Sequence, residues 1–255
     1  MRTIFYTELL KLKRTNLFQV GMTIVVLSCI FSIIPIFAAD DTIKDYALIM
    51  CNILENNCMY FSTVLITLMG SYMMSREYTD DTLKNLLLIP MTFQNILSGK
   101  LLTLLFMTVI CGLANAALGT IAGMLFHLPG INSISMFTWT LRILAGNFLI
   151  YISVLPIIII TSCIEGTGIT GIAVSFIYGF LSTIDWKPMN FYPVKAVLIL
   201  LDPALNNKYD WLNYSKGTAG VVLITVFMFS LLLLIKARLI PIQYKKSKTP
   251  RKKGW

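Results

Sequence analysis

The stretch KLLTLLFMTVICGLANAALGTIAGMLF, Lys100–Phe126, has no charged residue after its first position and no alternation of polar and apolar side chains. Such a run predicts a transmembrane α-helix: ~20 residues cross the ~30 Å hydrocarbon core, and a helix satisfies its own backbone there. Barrel strands would alternate with period 2. Apolar blocks of the same kind lie on both sides, at about Leu17–Ala39, Cys58–Met74, Trp139–Cys163, Thr170–Ile184 and Gly217–Ile235. Thr170–Ile184 is the shortest. The expected fold is all-α, with six membrane spans forming one transmembrane domain over residues 1–255.

Composition points the same way. Hydrophobic residues make up 56% of the chain and charged residues 13%, about half the ~25% that covers an ordinary soluble domain. The short loops leave no room for a soluble catalytic domain. The net charge of +9 could suggest nucleic acid, but its distribution does not. With the N-terminus inside, fifteen of the 21 Lys and Arg residues fall on the inner side. Only Lys44, Arg142, Lys187, Lys195, Lys208 and Lys216 fall outside. Inner loops carry the basic excess, so both termini are expected in the cytoplasm of a multi-pass protein of the cell membrane. The tail 236–255 has no acidic residue and is suited to gripping anionic lipid.

Met1–Thr15 is basic and amphipathic, with Phe5, Leu9 and Leu12 on one face, and is expected to lie on the inner membrane surface. Asp40–Asn57 is polar but keeps a helical stripe at Ile43, Tyr46, Ala47, Met50, Ile53 and Leu54. Cys29, Cys111 and Cys163 read as small buried hydrophobes. On a helix Cys51 and Cys58 stand ~10 Å apart, beyond disulfide reach. No metal-ligand cluster is read in the sequence, and no metal is expected.

The chemical motifs of enzymes are missing too. No Gly-x-x-x-x-Gly-Lys-Ser/Thr, His-Glu-x-x-His or Gly-x-Ser-x-Gly pattern occurs, and His127, the one histidine, ends a span. The expectation is a chain without catalysis or cofactor of its own. Ionisable residues inside spans mark ion and proton pathways, and the predicted span interiors have essentially none. Energy is therefore expected from outside the membrane domain. An autonomous channel or carrier, and a membrane scaffold without transport, are the alternatives.

The stretch Arg76–Pro90 is the most informative polar segment. Asp80, Asp81 or Thr82 can cap a short helix that Pro90 ends at Ile89. Leu83, Leu86 and Leu87 form its apolar face. Thr92 can then cap a second helix running through Phe93 and Ile96 into the third span. A helix, a break and a helix transmit a push to the span; a plain interfacial loop is the alternative.

Glu77…Asp81-Thr82-Leu83-Lys84-Asn85-Leu86-Leu87…Pro90…Gly99-Lys100-Leu101 resembles the Glu…Gly-Thr-Leu…Pro…Gly-Lys-Leu pattern of ABC-2 type exporter permeases. Asp81 stands where glycine is common. Length, six spans, an amphipathic N-terminal helix and inward termini are similar over the whole chain. The resemblance implies that this segment is a coupling helix docking on a separate ATP-binding cassette subunit, through Glu77, Asp81, Thr82, Leu83, Leu86, Leu87 and Pro90. It also implies a minor second contact at the Cys163–Gly168 turn, with Glu165. Two ATPase copies, holding ATP and Mg2+, would serve two permeases, most simply a homodimer. Asp185–Ser215 resembles the family's loop before the last span, which can dip back into the membrane. The closest subgroup in size exports bacitracin, lantibiotics and related amphipathic peptides.

Small residues mark two seams: Gly112, Ala116, Gly119 and Gly123 on the third span, and Gly171, Ser175 and Gly179 on the fifth. Such seams predict close helix packing. In the resembled family the second and fifth spans line the transport path at the dimer interface. Carried over, Thr63, Thr67, Ser71, Met74 and Ser175 become candidate path residues. A neutral corridor of that kind suits amphipathic or apolar cargo.

Overall fold

The computed structural model describes residues 2–13, 16–38, 45–79, 92–164, 167–203, 205 and 214–237. Among them the regular structure is helical, without strands. Helix α1 spans Arg2–Lys13, α2 Leu17–Ala38, α3 Tyr46–Asn56 and α4 Ser62–Thr79, the last two joined by a π turn at Asn57–Phe61. Then come α5 (Phe93–Leu125), α6 (Ser133–Ser162), α7 (Gly168–Leu181), α8 (Pro193–Leu201) and α9 (Lys216–Lys236), with a 3₁₀ turn at Lys187–Phe191 before α8.

Among the described residues, five runs are long and apolar enough to cross a membrane: Leu17–Ile36, Tyr46–Thr79, Phe93–Leu125, Ser133–Ser162 and Lys216–Lys236. The fifth expected span, Thr170–Ile184, differs. Helix α7 has 14 residues and reaches only ~21 Å, short of the ~30 Å core. It stops where the backbone N–H groups of Ser182 and Thr183 fold back onto the carbonyls of Gly179 and Phe180. The second span also differs, being continuous with the segment before it. The apolar stripe Ile49, Met50, Ile53 and Leu54 is wholly buried and runs on into Ile66 and Met69, so one core holds the whole run.

Helix starts follow local capping. The Thr92 hydroxyl accepts the Asn95 N–H at 3.3 Å and fixes the start of α5. Helix α6 begins six residues before the expected Trp139 because Asn132 and Ser135 form a reciprocal capping box. Helix α4 packs on α6 and α7, α5 on α1, α2 and α6, and both α8 and α9 on α6. Polar side chains pin these pairs: Ser28 to Asn115 at 3.0 Å, Ser62 to Asn147 at 2.7 Å, and the Tyr151 hydroxyl to the Leu101 carbonyl at 2.9 Å. Such bonds between helices in lipid are worth about 0.6–2 kcal/mol each. Helix α9 buries only Ala219, Leu223 and Ser230; most of its surface is apolar and outward, as a lipid-facing helix requires.

Candidate functional site

The apolar face predicted for α1 turns inward: Leu12 is buried, and the Phe5 ring meets Phe106 of α5 edge-on at 6.0 Å. That docking carries Glu8 and Lys11, one turn apart, into the bundle. There they meet Glu77 near the end of α4 and Lys100, two turns into α5. The Lys100 ammonium donates to Glu8 Oε2 at 2.8 Å, Glu77 Oε1 at 3.0 Å and the Met73 carbonyl at 3.1 Å. Lys11 donates to Glu77 Oε1 at 2.6 Å and Glu8 Oε1 at 3.1 Å.

Glu8, Glu77 and Lys100 are each 5% exposed or less. Two cations and two anions cancel, and all three Lys100 donors are used, which is what makes burial of charge tolerable. Burial pulls the Lys11 pKa down, but its hydrogen bond to Glu77 and the charge of Glu8 more than offset this and leave it above 10.5. Leu12, Tyr72, Met73 and Arg76 complete the walls. Beside the cluster, the Tyr78 hydroxyl donates to the Ser162 carbonyl at 2.9 Å and ties α4 to the end of α6.

This cluster grips the helices that flank residues 80–91. Asp81, Thr82, Leu83, Leu86, Leu87 and Pro90 lie outside the described residues, as does Glu165. Glu77, grouped with them in the sequence, faces the interior. Glu8 and Lys100 were missed because charges at span ends read as a topology signal. The available hint was that Glu8 is the one acidic residue on a basic helix.

Thr63, Thr67, Ser71, Met74 and Ser175 are all buried. They lie along the seam where α4 packs on α7 of the same chain. A Cβ at Gly179 would strike the Met59 carbonyl in the π turn and stand 2.6 Å from Thr63 Oγ1. One at Gly171 would meet Thr161 at 2.7 Å and Ser71 Oγ at 3.3 Å. On α5, a Cβ at Gly119 would meet Ile53 at 2.7 Å, one at Gly123 Tyr46 at 2.7 Å, and one at Gly112 Asn147 at 3.1 Å; Ala116 is buried beside them.

At the opposite end, α8 is buried from Val194 to Ile199, Lys195 included. Lys195 pairs with Asp185 at 2.7 Å and lies 6.0 Å from the Tyr214 ring. The Cys51 thiol donates to Asp202 Oδ1 at 3.1 Å. All five cysteines are free thiols.

A family model described as ABC-2 family transporter protein matches residues 4–182. Among curated proteins the chain is similar to the bacitracin transport permease protein BCRB of Bacillus licheniformis, at 24% identity covering 62% of this chain and 79% of that relative. No solved structure matches it.

Proposed function

The chain belongs to the ABC-2 family of transporter proteins, and from that premise we propose that it is the permease subunit of an ATP-driven exporter of amphipathic or hydrophobic cargo, peptides or antibiotics among it. Its energy comes from two copies of a separate ATP-binding cassette subunit, which hold the ATP and Mg2+. Both termini are cytoplasmic in this reading, so the Glu8–Lys11–Glu77–Lys100 cluster is at the inner face. That cluster is the observation that carries the proposal. It fastens α1, α4 and α5 where the 80–91 segment leaves and returns, so a push on that segment moves three helices together. Glu77 acts as an anchor within this unit, and Leu83, Leu86 and Leu87 supply the docking face.

The candidate path residues are sealed between α4 and α7, so transport requires α7 to move off α4. Outside this seam lies an apolar groove of about 410 Å³ lined by Ile24, Leu27, Phe31, Tyr60, Phe61, Val64 and Phe176. We assign that face to the second permease copy. A neutral Ser/Thr/Met-lined corridor between copies favours amphipathic cargo over phosphates or metal ions, and the bacitracin permease relative supports peptides of that class.

The test is co-expression with the ATPase subunit and reconstitution. Leu86→Asp is expected to leave the permease in the membrane while removing hydrolysis stimulated by an amphipathic peptide such as bacitracin. Unchanged stimulation in that variant would show residues 80–91 to be a passive linker.

A further inference from the structure

Cys51 and Glu55 stand four residues apart on α3 and share a face, the spacing by which one helix offers two ligands to one metal. Asp202, 2% exposed at the C-terminus of α8, reaches them from the other side. The ligand atoms of all three lie within 4.8 Å of one another, and the Cys51 thiol already points at Asp202 Oδ1. A thiolate and two carboxylates whose ligand atoms converge in this way can all bond one cation at once.

We propose that Cys51, Glu55 and Asp202 bind one divalent cation of borderline softness, of the zinc and cadmium class. Hard cations such as Ca²⁺ or Mg²⁺ take six or more oxygens; a thiolate with two carboxylates selects softer ions. Zinc bonds of about 2.0–2.3 Å require the three side chains to close up by roughly an ångström, within reach of rotamer adjustment. On binding, the Cys51 S–H bond breaks, its proton leaves to solvent, and the sulfur lone pair forms the metal bond. No electron is transferred. The site does not depend on the exporter reading.

The experiment titrates the purified full-length protein in detergent with Cd²⁺ alone. One equivalent is expected to bind, with the ultraviolet charge-transfer band of a cadmium–thiolate, and Zn²⁺ but not Mg²⁺ should displace it. Cys51→Ser is expected to abolish the band, and Asp202→Asn to weaken binding at least tenfold. Cys111→Ser, a remote thiol, should change neither. No band in the wild-type protein, or one that survives Cys51→Ser, overturns the proposal. Should Cys51→Ser fail to fold by gel filtration, Asp202→Asn decides: undiminished affinity overturns the site and weakened affinity supports it.

Discussion

The two ends of the bundle hold buried charge in different ways. At one, Glu8, Lys11, Glu77 and Lys100 come from α1, α4 and α5, and each carboxylate meets two ammonium groups within 3.1 Å. At the other, Glu55 and Asp202 converge on the thiol of Cys51. The first arrangement is complete as it stands, a neutral tie among three helices. The second is a set of ligand atoms. Opposite charges paired within a cluster hold structure together, whereas two carboxylates beside a thiol present ligand atoms to an ion.

Removing the central cation would strain the comparison most. Lys100→Met leaves Glu8 and Glu77 buried without it and should cost about 3–5 kcal/mol, read as a large fall in thermal midpoint and in yield of folded protein. Adding Glu8→Gln and Glu77→Gln to that variant should restore most of the loss. A Lys100→Met protein as stable as wild type would mean that the cluster ties nothing. At the opposite end, without metal, Asp202→Asn should cost only about 1 kcal/mol, the scale of a weakened hydrogen bond, in the same thermal assay. Equal losses at the two ends would erase the distinction.

The smallest effect is expected at Lys11, whose side chain is 41% exposed. Lys11→Ala should cost about 0.5 kcal/mol, reduced by added salt. Its pKa in the folded protein lies above 10.5, so its contribution is present in full below that value and lost as pH rises through the raised one. Thermal scans should therefore show a constant gap between wild type and Lys11→Ala from about pH 7 to about pH 10, closing only in stronger alkali.

The spans at Leu17, Lys100, Trp139 and Gly217 were legible because long apolar runs leave a helix no other solvent. The Thr92 cap was legible for the same local reason. What escaped depends on pairing across the chain. The Tyr46–Asn56 stripe gave no sign that a π turn would carry it into α4. The 14-residue length of α7 is set by the turn at Ser182 and Thr183, which are uncharged and so gave no stop before Asp185. The ionic cluster joins residues up to 92 positions apart, and no local pattern announces such a partnership. For Cys51, sequence spacing excluded a disulfide with Cys58 but could not bring in Asp202, which arrives on a different helix.

The separation of Glu8 from Lys100 has a consequence for biosynthesis. Helix α1 is made before α5, so its buried carboxylate lacks this cation until 92 more residues have been added. At about 5–20 residues per second that is a delay of roughly 5–20 s. During that interval the nascent chain presents two hydrophobic spans and a terminal helix that cannot settle. Lys11, on α1 itself, pairs with Glu8 from the start, so the arrival of Lys100 completes the tie, and α1 docks in full only once α5 is inserted.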